Sequence, residues 1–169
     1  MKYSEKLSLV KLMIFTSLSF GLYTLYWYPR TWRQLKEEYA ETGMIGLRTV
    51  GLLVPLLNLF LMYDTAKYLA GHCKDKVKFR WNASQVIVLI ILLGFVGRWL
   101  LNVFEFPFEF IIVSFIASSP LLLMQNTLNL YLGKTEKKHL PLKPVERGDI
   151  IIGIIAVLMW TALIIVRLV

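Results

Sequence analysis

The chain has 169 residues, 57% of them hydrophobic and only 18% charged, an apolar content beyond what an ordinary soluble domain can hide in one core. Its formal net charge of +8 does not point to nucleic acid, because Lys and Arg stand in short segments between apolar runs, where the anionic inner face of a membrane accounts for them. One cysteine, Cys73, with His72 beside it and His139 far along the chain, excludes an internal disulfide and makes a poor set of metal ligands.

The apolar runs are about as long as the roughly 20 residues that cross about 30 Å of hydrocarbon at about 1.5 Å per residue. They predict an all-α integral membrane protein, a single membrane domain over residues 1–169. About five transmembrane helices are expected, at 7–28, 45–63, 83–101, 108–125 and 150–169, with short amphipathic helices at the interface.

In the first run, Lys2 and Lys6 ahead of apolar residues resemble a signal peptide, and Ser17-Leu18-Ser19 a weak cleavage site, but the apolar character continues to Tyr28. An uncleaved helix is expected. Lys11 reads as an anchor whose stem snorkels to the near interface. Ser17 and Gly21 have the small-xxx-small spacing that admits a second helix. Tyr23, Tyr26, Trp27, Tyr28 and Trp32 read as an aromatic belt at the headgroups, and 31–42 as a surface helix with Arg33 and Glu37 at pairing distance, closed by Gly43.

The second run carries Pro55 in its middle, so its helix is expected to kink or break there, with Asn58 placed to satisfy a freed carbonyl or to bond a neighbouring helix. Pro55 and Asn58 are hinge candidates. After it, Lys74, Lys76, Lys78 and Arg80 make a basic amphipathic segment, a candidate site for anionic lipid. Asn82-Ala83-Ser84 matches a glycosylation acceptor but lies on the side assigned to the cytoplasm and is discounted.

The aliphatic stretch Val86 to Leu93 of the third run offsets the cost of Arg98 near its end. The alternating segment Phe104 to Phe110 reads as a tight turn with a helix start at Pro107, and Glu105 or Glu109 as partners for Arg98. The fourth run has small residues at Ser114 and Ser118 and a further hinge candidate, Pro120. Its exit, Met124 to Gly133, echoes Met62 to Gly71, with Met, Asp or Asn, Thr and Gly at equal offsets, as a duplicated hairpin would leave. A linker stiffened by Pro141 and Pro144 leads to Asp149, expected to cap the last run, in which Gly153 makes a slim face.

Phe20-Gly21-Leu22-Tyr23-Thr24-Leu25-Tyr26-Trp27-Tyr28 followed by Trp32 and a charged helix, the span containing Pro55, the Ser119 to Asn126 exit and the capped last span together resemble one group. It is the prokaryotic multi-pass membrane protein family catalogued as domain of unknown function 4234. The resemblance is strongest over the first seventy or so residues. It implies the membrane class and brings no catalytic residues or cofactor with it.

Five crossings with the N-terminus inside place thirteen basic residues on the cytoplasmic face against six elsewhere, so N-terminus in and C-terminus out is the expected arrangement in the cell membrane. A rival makes the first two runs re-entrant, turning at 17–21 and at Pro55, and raises the count to seventeen against two. It leaves turn backbone in hydrocarbon unless protein or water covers it.

The leading functional expectation is a non-enzymatic accessory or interaction subunit, contacting membrane lipids and a protein partner or its own copies through small-residue faces. A small transporter or channel with broken helices at Pro55 and Pro120 is the second, and an anionic-lipid-binding protein the third. No Ser/His/Asp grouping, phosphate-cradling glycine loop or metal motif speaks for an enzyme or a cofactor.

Overall fold

The computed structural model describes residues 6–39, 45–73, 77, 81–100, 108–135 and 144–168. These form eight helices: α1 (Leu9–Leu18), α2 (Tyr23–Tyr39), α3 (Ile45–Gly51), α4 (Pro55–Cys73), α5 (Ala83–Leu100), α6 (Phe108–Ala117), α7 (Ser119–Thr135) and α8 (Arg147–Leu168). The protein is all-α, and three of the five apolar runs are divided into two helices each.

The first run breaks because two successive residues turn left-handed, Phe20 at φ 51° and Gly21 at φ 85°. Gly21 N–H then donates to Thr16 O at 2.8 Å and Phe20 N–H to Ser17 O at 3.4 Å, the pair of reversed bonds that closes a helix C-terminus. The second run breaks over 52–54, and Pro55 opens α4 at its first position, where a missing N–H costs nothing. The third break falls at Ser118, just ahead of Pro120, the second residue of α7. Ser118 Oγ donates to Phe115 O and Ser119 Oγ to Ile116 O, at 2.6 and 2.8 Å, so hydroxyls take up the carbonyls that α6 leaves over.

These breaks leave the expectation of about five transmembrane helices without support. Among the described residues, two helices are long and apolar enough to cross a membrane, Ala83–Leu100 in α5 and Arg147–Val166 in α8. Both are poorly covered by the rest of the chain, with 22% and 11% of those stretches buried. Phe95 and Trp99 of α5 and Val157, Leu158 and Val166 of α8 are all more than 60% exposed. The core helix of a water-soluble domain buries its apolar side chains instead.

Where the two long helices begin, local chemistry decides. Asn82 Oδ1 accepts from Gln85 N–H at 2.8 Å and Gln85 Oε1 from Asn82 N–H at 2.9 Å, a reciprocal cap for α5. Asp149 is not the residue before α8 but the third within it, and its carboxylate reaches back to accept from Glu146 N–H at 2.7 Å. The cap has moved because Arg147 and Gly148 already turn helically.

The aromatic belt is also corrected. Tyr23, Trp27, Tyr28 and Trp32 are each at most 2% exposed, forming the centre of the protein core together with Leu7, Leu12, Leu35, Leu69, Met124 and Leu128. Tyr28 and Trp32 stack with rings 6.1 Å apart, and Tyr68 leans on Trp32 at 5.3 Å. The helix α2 runs through Pro29 rather than ending there, so these rings point along one buried stripe instead of ringing a crossing. Arg48 stands over the Trp32 ring at 4.5 Å while pairing with Asp64 at 2.9 Å.

Candidate functional site

The three breaks meet. One cavity of about 490 Å³ is lined by Thr16, Phe20, Gly21 and Thr24 from the first, by Leu52, Leu53 and Asn58 from the second, and by Ser114, Ala117 and Pro120 from the third. Its remaining walls are apolar, including Ile90 of α5 and Val113 and Leu121. Its volume falls within the range of small-molecule sites.

Each break lays a helix C-terminus beside the N-terminus of the next helix, so α1, α3 and α6 end at the cavity where α2, α4 and α7 begin. Much of the exposed backbone is satisfied locally. Tyr23 N–H donates to Ser19 Oγ at 3.0 Å, and Asn58 Nδ2 donates to Leu52 O at 3.0 Å. Asn58 thus serves the carbonyl side of its break with its amide nitrogen and keeps its Oδ1 as an acceptor. Thr16 is 3% exposed, and its hydroxyl has no hydrogen-bond partner among the described residues.

The other hinge and packing candidates divide. Pro120 and Ser114 line the cavity beside Asn58, whereas Ser17 and Ser118 are buried in the packing between helices. Gly21 lines the cavity, but a Cβ there would meet nothing within 4 Å. Its need for glycine is conformational, not a close helix approach. Gly153 faces Phe15 of α1 at an ordinary 3.7 Å. Lys74, Lys76, Lys78 and Arg80, together with Glu105 and the side chain of Glu109, lie outside the described residues, as does the side chain of Glu37.

Two polar networks flank this arrangement and were not legible in the sequence. At the start of α8, Asp149 is fully buried and is held by Lys11 of α1, which also donates to Pro144 O at 3.0 Å, and by Tyr23 Oη at 2.7 Å. Tyr26 Oη donates to Glu146, and a Cβ at Gly148 would come within 2.3 Å of the Tyr26 ring. Lys11 is therefore no interfacial anchor, because its ammonium is spent on a carboxylate. In the second network Trp27 Nε1 donates to Gln125 Oε1 at 2.7 Å, Gln125 Nε2 to Asn129 Oδ1 at 2.9 Å, and Asn129 Nδ2 to Leu7 O at 2.7 Å.

The glycine in closest contact between α5 and α6 is Gly97, where a Cβ would stand 3.0 Å from Val113. Among the described residues, no three His, Cys, Asp or Glu side chains are grouped to hold a metal. The described residues of the cavity wall offer hydroxyls, an amide and apolar surface, groups that bind and orient.

Comparison of the chain with protein-family models, with curated proteins and with solved structures gives no match in any of the three.

Proposed function

We propose that this chain is a multi-pass membrane protein that holds a small molecule where its broken helices meet, a small transporter or channel. The convergence of three helix breaks on one cavity carries the reading. Irregular backbone is tolerated at membrane depth where it lines a cavity or is covered by protein, and discontinuous helices are how transporters build sites within the bilayer.

The exposed apolar faces of α5 and α8 support a place in lipid, since their lengths of 18 and 22 residues correspond to about 27 and 33 Å of helix. The broken runs are read as three further, discontinuous crossings. The helices of each broken pair touch one another little, while α4 packs far more on α5 and α1 on α6; a re-entrant hairpin would lay the two arms side by side. Ser17 and Ser118 are buried and Gly153 faces Phe15 of the same chain, so these three small residues lend the accessory-subunit reading less support.

The test is native mass spectrometry of the full chain extracted with its surrounding lipid. The wild type is expected to retain a small molecule that Ser114→Trp, which fills the cavity, does not. Equal retention by both, or none by the wild type, overturns the reading. Flux measured on Pro55→Ala and Asn58→Ala chains that still assemble then separates transport from binding alone.

A further inference from the structure

We infer that α8 is a latch on the cavity wall and Trp160 its catch, so that a small molecule passes the wall when Trp160 lets go of the turn between α1 and α2. The inference rests on the small-molecule reading above.

That turn belongs to the wall, since Phe20, Gly21 and Leu22 all line the cavity. Trp160 holds it twice. Its Nε1 donates to Leu18 O at 3.0 Å, on the residue with which α1 ends, and its ring tilts against Phe20 with centroids 4.9 Å apart. Among the described residues Phe20 alone has a positive φ without being glycine, 51°. A bulky side chain is rarely left-handed, and it stays so only where its surroundings hold it. Trp160, on a distant helix, supplies part of that hold.

The attachment of α8 lets this end move. Three side-chain bonds tie its start to α1 and α2: Lys11 and Tyr23 to Asp149, and Tyr26 to Glu146. Trp160 stands about 20 Å along the helix from Arg147. Val157 and Leu158 beside it are more than 60% exposed, and under the membrane reading they border lipid whether the helix is docked or displaced. Swinging away therefore exposes little apolar surface to water.

The cost falls on the catch instead. At that depth no water replaces Leu18 O as the partner of the indole N–H, so the catch is either made or broken. A pivot at Asp149 and a catch at Trp160 make a two-state element. Release frees Phe20 to leave its left-handed conformation, and the bond from Gly21 N–H to Thr16 O that closes the turn opens with it.

The test is hydrogen exchange of the full chain in lipid nanodiscs, read by mass spectrometry on peptides covering residues 16–25, the start of α8, and α7. Trp160→Phe keeps a ring on Phe20 and removes the bond to Leu18 O. It is expected to speed exchange in the turn about tenfold, and Trp160→Ala more, while α7 and the start of α8 keep wild-type rates. Passage is read with N-ethylmaleimide on Ser114→Cys, a position in the cavity wall, in a Cys73→Ala chain. Labelling is expected to run about tenfold faster when Trp160→Phe is added. Circular dichroism verifies that each variant keeps its helices, and Trp160→Phe carries the test if Trp160→Ala does not fold.

Unchanged exchange in the turn, acceleration as large in α7 as in the turn, or labelling indifferent to Trp160 overturns the inference. The small-molecule reading survives each of these results if the wild type retains a molecule that Ser114→Trp loses. Failure of that retention removes the passage of a small molecule, whatever the exchange rates.

Discussion

Lys11, one turn into α1, and Asp149, in the first turn of α8, form an ion pair across 138 residues of sequence, with their side chains only 11% and 1% exposed. The carboxylate also accepts from Tyr23 Oη and Glu146 N–H. This constellation fixes the start of the most exposed apolar helix to the first two helices of the chain.

Breaking the pair from one side leaves a buried charge. Lys11→Met and Asp149→Asn are each expected to destabilise the protein by about 3 kcal/mol. The double variant should cost clearly less than the two singles added together, as coupled partners do. Unfolding of the four chains in detergent micelles, followed by circular dichroism, completes the cycle.

Gly148 has no room for a side chain, since an added Cβ would stand 2.3 Å from the Tyr26 ring. The ring must move and give up its bond to Glu146. Gly148→Ala is expected to cost about 1–3 kcal/mol, and Tyr26→Ala in the same chain should remove most of the added penalty. Melting temperatures of the single and double variants decide it.

Two exposed-space glycines separate conformation from packing, because neither Gly21 nor Gly46 has an atom within 4 Å of an added Cβ. Only Gly21 has a positive φ, 85°. Gly21→Ala should therefore destabilise by about 1–2 kcal/mol, while Gly46→Ala, inside α3, should be neutral or stabilising by up to about 1 kcal/mol. Opposite shifts of the melting temperature are the expected result.

Gln125 joins Trp27 to Asn129 in the core and is only 2% exposed. Gln125→Leu strands the Trp27 indole N–H and is expected to cost about 1–3 kcal/mol. Adding Trp27→Phe, which removes the stranded donor, should make the further loss smaller than Trp27→Phe causes alone in the wild-type chain, as chemical denaturation would reveal.

The sequence by itself determined the helical class, the apolar runs and the helix breaks beside Pro55 and Pro120, because these follow from composition, periodicity and a missing backbone N–H. Asn58, singled out for a freed carbonyl, donates to Leu52 O. Periodicity did not reveal that the first run would break at Phe20, since a left-handed aromatic residue runs against local preference and is held by the turn around it. Nor does a stripe of Tyr and Trp at helical spacing say whether lipid or protein covers it; side chains of α1, α3, α4, α7 and α8 meet those rings only in the tertiary fold. The partners of Lys11, Gln125 and Gly148 lie about a hundred residues or more away in the chain. Tertiary structure alone decided these contacts, and with them the gathering of three separate breaks around one cavity, because side-chain spacing along a chain carries no information about which distant helix will face it.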